Sequence, residues 1–124
     1  MIHWLAVAAG GALGALARYG VNGLLFPLFG HKFPLGTLVI NVAGSLAMGV
    51  CYVLIIERGL LDPEWRNFLM VGVLGAFTTF SAFSLDAAAL WQNGHLLLAC
   101  GYVLASVALS LGALVLAIHL TRLL

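Results

Sequence analysis

The sequence predicts an all-α integral membrane protein with four transmembrane helices per chain, and three observations carry that prediction. Of the 124 residues, 64% are hydrophobic. Charged side chains make up 7%, whereas a soluble domain carries about a quarter, so a water-soluble globule is excluded. The apolar residues also run continuously over bilayer-crossing lengths, without the alternation that a transmembrane β-strand requires. A formal net charge of +1 leaves no basic footprint, so nucleic acid is not expected as a partner. Cys51 and Cys100 supply neither a disulfide framework nor metal-ligand spacing, and both read as small apolar core residues.

The first span is expected over residues 4–26, where Arg18 is the single charge among the first 31 residues. A cleaved signal peptide is the competing account, weakened because no basic residue precedes the apolar stretch and no polar mature domain follows. The second span, 35–56, fills an uncharged run of 24 residues from Phe33 to Ile56. The third is expected over 66–91. The 27 residues from Trp65 to Trp91 would make a continuous helix of about 40 Å, longer than the hydrocarbon is thick. Its middle, GAFTTFSAFS (Gly75 to Ser84), carries a glycine, two threonines and two serines. A break is expected at 75–79, because freed backbone groups are tolerable in a membrane only where they line a cavity or bind an ion. The polar WQNGH stretch (Trp91 to His95) then separates the fourth span, 96–120, and the whole chain reads as one four-helix domain.

Arg58, Arg66 and Arg122 fall on the side of the termini, with Lys32 alone opposite. That bias leans toward cytoplasmic termini, yet the counts are small enough that either orientation is compatible with these residues. Gly10 with Gly14, and Gly44 with Met48 and Gly49, leave thin helix faces for close contacts within or between chains. Four helices enclose little on their own, so a homo-oligomer, most commonly a two-fold dimer, is expected.

Polar groups at membrane depth are functional hypotheses by default. Arg18 reads as a structural cation paired with carbonyls or a carboxylate, or as an attractor of anions. Asn41 brings an amide into the second span and Ser45 extends its face; interhelical hydrogen bonding is the plain alternative. Phe80 and Phe83, three residues apart, share a helix face, for which ordinary packing is the simpler account. Tyr102, Ser106 and Ser110 recur every four residues as a hydroxyl stripe. Asp86 suits a helix cap or an arginine partner. His3, His31, His95 and His119 lie near expected helix ends without metal-site spacing, and Trp4, Trp65 and Trp91 suit the interfacial aromatic belt. No catalytic constellation, nucleotide loop or metal cluster is present, so an enzyme is not expected.

This combination resembles the CrcB (Fluc) family of fluoride channels over essentially the whole chain. The resemblance rests on Gly14 and Arg18 in GALGALARY, on PLGTLVIN ending at Asn41, on TTFSAFS from Thr78 to Ser84, and on GYVLASVALS with Tyr102, Ser106 and Ser110. Ala76 and Phe77 stand where relatives tend to carry Gly and Leu, and Asp86 stands where a Glu is usual.

The resemblance implies an antiparallel, dual-topology homodimer in the bacterial inner membrane. It implies passive fluoride export along two pathways at the subunit interface. Asn41, Phe80, Phe83, Tyr102, Ser106 and Ser110, with Thr79 and Ser81, would line the pathway, and Arg18 would stand at its vestibule. A structural sodium ion would be held at the dimer centre by the backbone carbonyls of Gly75 and Thr78. The chemistry is coherent, since an Asn amide and the positive edges of aromatic rings can replace part of an anion's water shell. Two rivals remain. A small multidrug-type exporter needs a carboxylate in the first span, which is absent here, and a non-transporting scaffold would leave Asn41, Phe80 and Phe83 without a role.

Overall fold

Apolar continuity drives the backbone into helices, because within hydrocarbon every peptide group must find its partner in its own segment. The computed structural model describes residues 1–29 and 33–124; His31 and Lys32 lie outside them. Among the described residues every regular element is helical. Helix α1 (Ile2–Phe29) is followed by α2 (Leu35–Cys51), which continues as a π-helix over Tyr52–Glu57. A turn at Gly59, with φ +61°, leads into α3 (Pro63–Arg66) and a second π-helix, Asn67–Leu74. Then come α4 (Gly75–Phe77), α5 (Phe80–Gln92) and α6 (Leu96–Leu123). Gly94, at φ +83°, makes the tight reversal between α5 and α6 that a side chain would strain.

Four of these helical stretches, Ile2–Pro27, Leu35–Glu57, Pro63–Gln92 and Leu96–Leu123, are long and apolar enough to cross a membrane. The two π-helical segments carry no local signature in the sequence. They widen the winding on both sides of the connection between the second and third spans.

Two close pairings organise the bundle: α1 against Asn67–Phe77, and α2 against α6. Glycines set both distances. A Cβ at Gly10 would enter the Phe68 carbonyl oxygen, and one at Gly14 the Val73 carbonyl oxygen. Gly49 lies against α6, where a Cβ would stand 2.7 Å from the Leu114 carbonyl and 2.8 Å from Ala117 Cβ. The thin faces are therefore used inside the chain.

The interior is small. Tyr102, Ile40 and Val53 are the largest fully buried side chains, while most leucines face outward. Cys100 is exposed, contrary to the core position expected for it. In lipid an outward site asks only for apolarity, which a thiol supplies. The accessible surface is 7835 Å², against roughly 6,300 Å² for a folded soluble monomer of this mass.

One end of the bundle is fastened by charge. Arg122 donates from Nε and Nη2 to the two Glu57 carboxylate oxygens at 3.0 and 2.6 Å. Arg58 donates to the Thr121 and Arg122 carbonyls that end α6. The Glu57–Arg122 pair is solvent-accessible, so Glu57→Gln is expected to leave stability nearly unchanged. Chemical denaturation in detergent reads this directly.

Candidate functional site

The site begins where helix gives way to extended backbone. Helix α4 ends at Phe77; Thr78 (φ −81°, ψ 157°) and Thr79 (φ −152°, ψ 123°) are extended; α5 then starts at Phe80. Both residues are β-branched, which favours this geometry, and neither needs a glycine's freedom. The Thr79 hydroxyl caps α5 by accepting the Ala82 N–H at 3.1 Å. Thr78 stays tied to the preceding turn through its hydroxyl, which donates to the Leu74 carbonyl at 2.9 Å.

Asn41 holds the other side. Its Oδ1 accepts the Thr79 N–H at 2.8 Å, and its Nδ2 donates to the Thr79 carbonyl at 3.0 Å. This two-bond pairing imitates a neighbouring β-strand and leaves the amide one N–H to offer elsewhere. The same contacts divert two backbone donors. In an α-helix the Gly75 carbonyl would receive the Thr79 N–H and the Thr78 carbonyl the Ala82 N–H. The first goes to Asn41 and the second to the Thr79 hydroxyl. Arg18, expected as a cation paired with carbonyls or a carboxylate, donates from Nε to the Ala76 carbonyl at 3.1 Å. It sits at the carbonyl-rich end of the helical run, where a cation is favoured.

A cavity of about 430 Å³ opens beside this interruption. Asn41, Thr78, Thr79, Phe80, Phe83, Ser106 and Ser110 all line it, joined by Ser45. The Phe80 and Phe83 rings lie 5.6 Å apart, tilted at 48°. Phe83 is buried, whereas Phe80 is 79% exposed on the open side. The Ser106 hydroxyl is buried and makes no hydrogen bond of ordinary geometry, with the Tyr102 hydroxyl as a polar neighbour. Such a group is costly in a membrane and marks a place for a polar guest.

Other expected residues stand apart. Tyr102 does not line the cavity: its ring packs on Phe83 at 5.2 Å and on Phe33 at 5.6 Å. Its hydroxyl donates to Asp86 Oδ2 at 3.3 Å. Asp86 is therefore the partner of a tyrosine and not of an arginine, and mid-helix it caps nothing. It borders a separate cavity of about 210 Å³ with Asn22 and Thr37. Ser81 lies outside the main cavity, with its hydroxyl 3.3 Å from that of Thr79. His3 Nδ1 accepts from Asn67 Nδ2 at 2.8 Å, linking the starts of the first and third spans. Sequence reasoning missed the apolar wall of Met48, Val107, Leu111 and Leu114. The spacing of Val107, Leu111 and Leu114 by four and then three residues could have found most of it.

Among the described residues, no three His, Cys, Asp or Glu side chains gather as metal ligands. The oxygens available at the interruption are backbone carbonyls and the hydroxyls of Thr78, Thr79 and Ser81.

The family model described as CrcB-like protein, Camphor Resistance (CrcB), matches residues 5–118. A protein of Saccharophagus degradans named Fluoride-specific ion channel FluC is 56% identical over 122 residues, covering 98% of this chain and 91% of its own. Its namesake in Paracoccus denitrificans is 53% identical over 112 residues, covering 90% and 88%. Another, from Hahella chejuensis, is 47% identical over 121 residues, covering 98% and 95%.

Proposed function

The chain belongs to the CrcB-like family, and from that premise we propose that it is a fluoride-selective channel that lets the ion leave the cell passively. It is a multi-pass membrane protein, and it is not an enzyme, since its relatives are named ion channels. The observation that carries the fluoride reading is the single cavity in which Asn41, Phe80, Phe83, Ser106 and Ser110 meet.

Fluoride is small and strongly hydrated, so its passage needs donors that replace water a few at a time. The buried Ser106 hydroxyl makes no hydrogen bond of ordinary geometry and can supply one. The remaining Asn41 N–H and the ring edges of Phe80 and Phe83 can supply others. The α5 N-terminus at Phe80 adds the positive end of a helix dipole. Each interaction is weak, so the ion can also leave.

The finer reading is an antiparallel, dual-topology homodimer. Phe80 and the apolar wall form an open side that a second copy would close. A sodium ion fits the interruption, because the Gly75 and Thr78 carbonyls are neutral oxygen donors whose helical N–H partners are engaged elsewhere. When bound, such an ion supplies a fixed positive charge that anchors carbonyls from both chains.

The test is efflux from liposomes containing the purified protein, followed with a fluoride electrode beside a chloride electrode. Fast fluoride release with little chloride release is expected. Equal release of both anions, or none from a folded protein, would overturn the proposal.

A further inference from the structure

We propose that Asn41 is a positioning residue for the cation site: it takes up the backbone N–H that would otherwise close the Gly75 carbonyl. The inference rests on the sodium reading above for its consequence, though not for its geometry.

In a membrane, a backbone N–H without a partner takes the nearest acceptor. For Thr79 N–H that acceptor is the Gly75 carbonyl four residues back, and making the bond would extend α4 through Thr78 and Thr79. Asn41 Oδ1 prevents this by accepting the N–H at 2.8 Å, while Nδ2 holds the Thr79 carbonyl in the extended orientation. Thr79 completes the arrangement, because its hydroxyl captures the Ala82 N–H that would otherwise reach the Thr78 carbonyl. The two carbonyls that lose their helical N–H donors in this way are those of Gly75 and Thr78.

A second observation comes from the α2 backbone. Gly44 lies three residues after Asn41, on the same helix face. A Cβ at that position would collide with the Thr78 methyl group. The missing side chain at residue 44 therefore helps helix α2 bring the Asn41 amide within reach of Thr79. Asn41 and Gly44 together form the mould of the extended pair, although the pair itself belongs to the third span.

The chain has four threonines, Thr37, Thr78, Thr79 and Thr121, so ¹³C,¹⁵N-threonine labelling of the full-length protein in lipid nanodiscs isolates the signals needed. In wild type, the Thr79 Cα line should stand at its extended-backbone value. Replacing N-methylglucamine chloride by sodium chloride should move the Thr78 carbonyl line. Asn41→Ala should carry the Thr79 Cα line to the helical value and raise the sodium concentration needed for half the Thr78 response about tenfold or more, the scale of one lost hydrogen bond. Asn41→Asp keeps an acceptor for the Thr79 N–H and should restore the extended line. Gly44→Ala should shift the Thr79 line in the same sense as Asn41→Ala, and it serves where the alanine variant at 41 does not fold. Unchanged Thr78 and Thr79 lines in the variants, with reduced fluoride flux, would overturn the proposal and leave Asn41 as a lining residue. A wild-type spectrum indifferent to sodium would overturn the sodium reading alone, because the Thr79 line still reports whether Asn41 holds the pair.

Discussion

Liposomes carrying Phe80→Ile or Phe83→Ile are expected to release fluoride at least about tenfold more slowly than wild type, a barrier increase of about 1.4 kcal/mol or more. Isoleucine keeps the site apolar and removes the ring, so what is lost is the positive edge that a desolvated anion can approach. The two variants should differ in stability. Phe80 is 79% exposed and among the described residues makes its ring contact with Phe83, so its replacement should leave unfolding nearly unchanged. Phe83 is buried between Phe80 and Tyr102, and its replacement should cost about 1–2 kcal/mol of stability through lost packing. Flux lost in both variants with stability lost in one assigns the rings to conduction. Undiminished flux in both would remove them from the mechanism.

Gly14→Val is expected to have the largest effect on the fold. The new Cβ would meet the Val73 carbonyl oxygen and carbon and the Phe77 amide, all main-chain atoms that no rotamer change can move. Helix α1 must then withdraw from the third span along its main contact. Overpacking of a close interface costs about 1–3 kcal/mol, occasionally more, and here Gly10 and Gly72 repeat the constraint one turn away. The expected readout is a broadened or aggregated size-exclusion profile in detergent. Gly11→Val is the matched control, since a Cβ there meets nothing within 4 Å. A normal profile for Gly14→Val would mean that the α1 contact is looser than described.

Much of this was legible in the sequence, for a physical reason. Hydrocarbon demands unbroken apolar runs, so the four spans could be located from the charges and the WQNGH interruption. Side chains that share one helix were also legible. Ser106 and Ser110, four residues apart, do face the same cavity. Tyr102 continues their stripe and stands beside Ser106, yet its ring packs behind Phe83 and its hydroxyl turns to Asp86, so it does not line the cavity. Contacts between spans were not legible. Asn41 and Thr79 are 38 residues apart and meet through backbone atoms, which leave no mark in residue identity. The Arg18–Ala76 contact is of the same kind. The extended backbone was expected from a glycine and from hydroxyls in general. At Thr78 and Thr79 it is held by β-branching, one cap and a distant amide.

The π-helical winding of Asn67–Leu74 has a consequence for how chain length maps onto direction. A π-helix closes its hydrogen bonds over five residues instead of four, so each residue turns the chain through a smaller angle than in an α-helix. The stretch therefore turns through less azimuth than the same residues would as α-helix, and it sets the compass bearing at which Gly75 and everything after it emerges. Were the same eight residues rewound as α-helix, no side chain would change. The extended pair, the two phenylalanines and the α5 cap would nonetheless point elsewhere. Pitch in this segment acts as a phase adjustment for the site downstream.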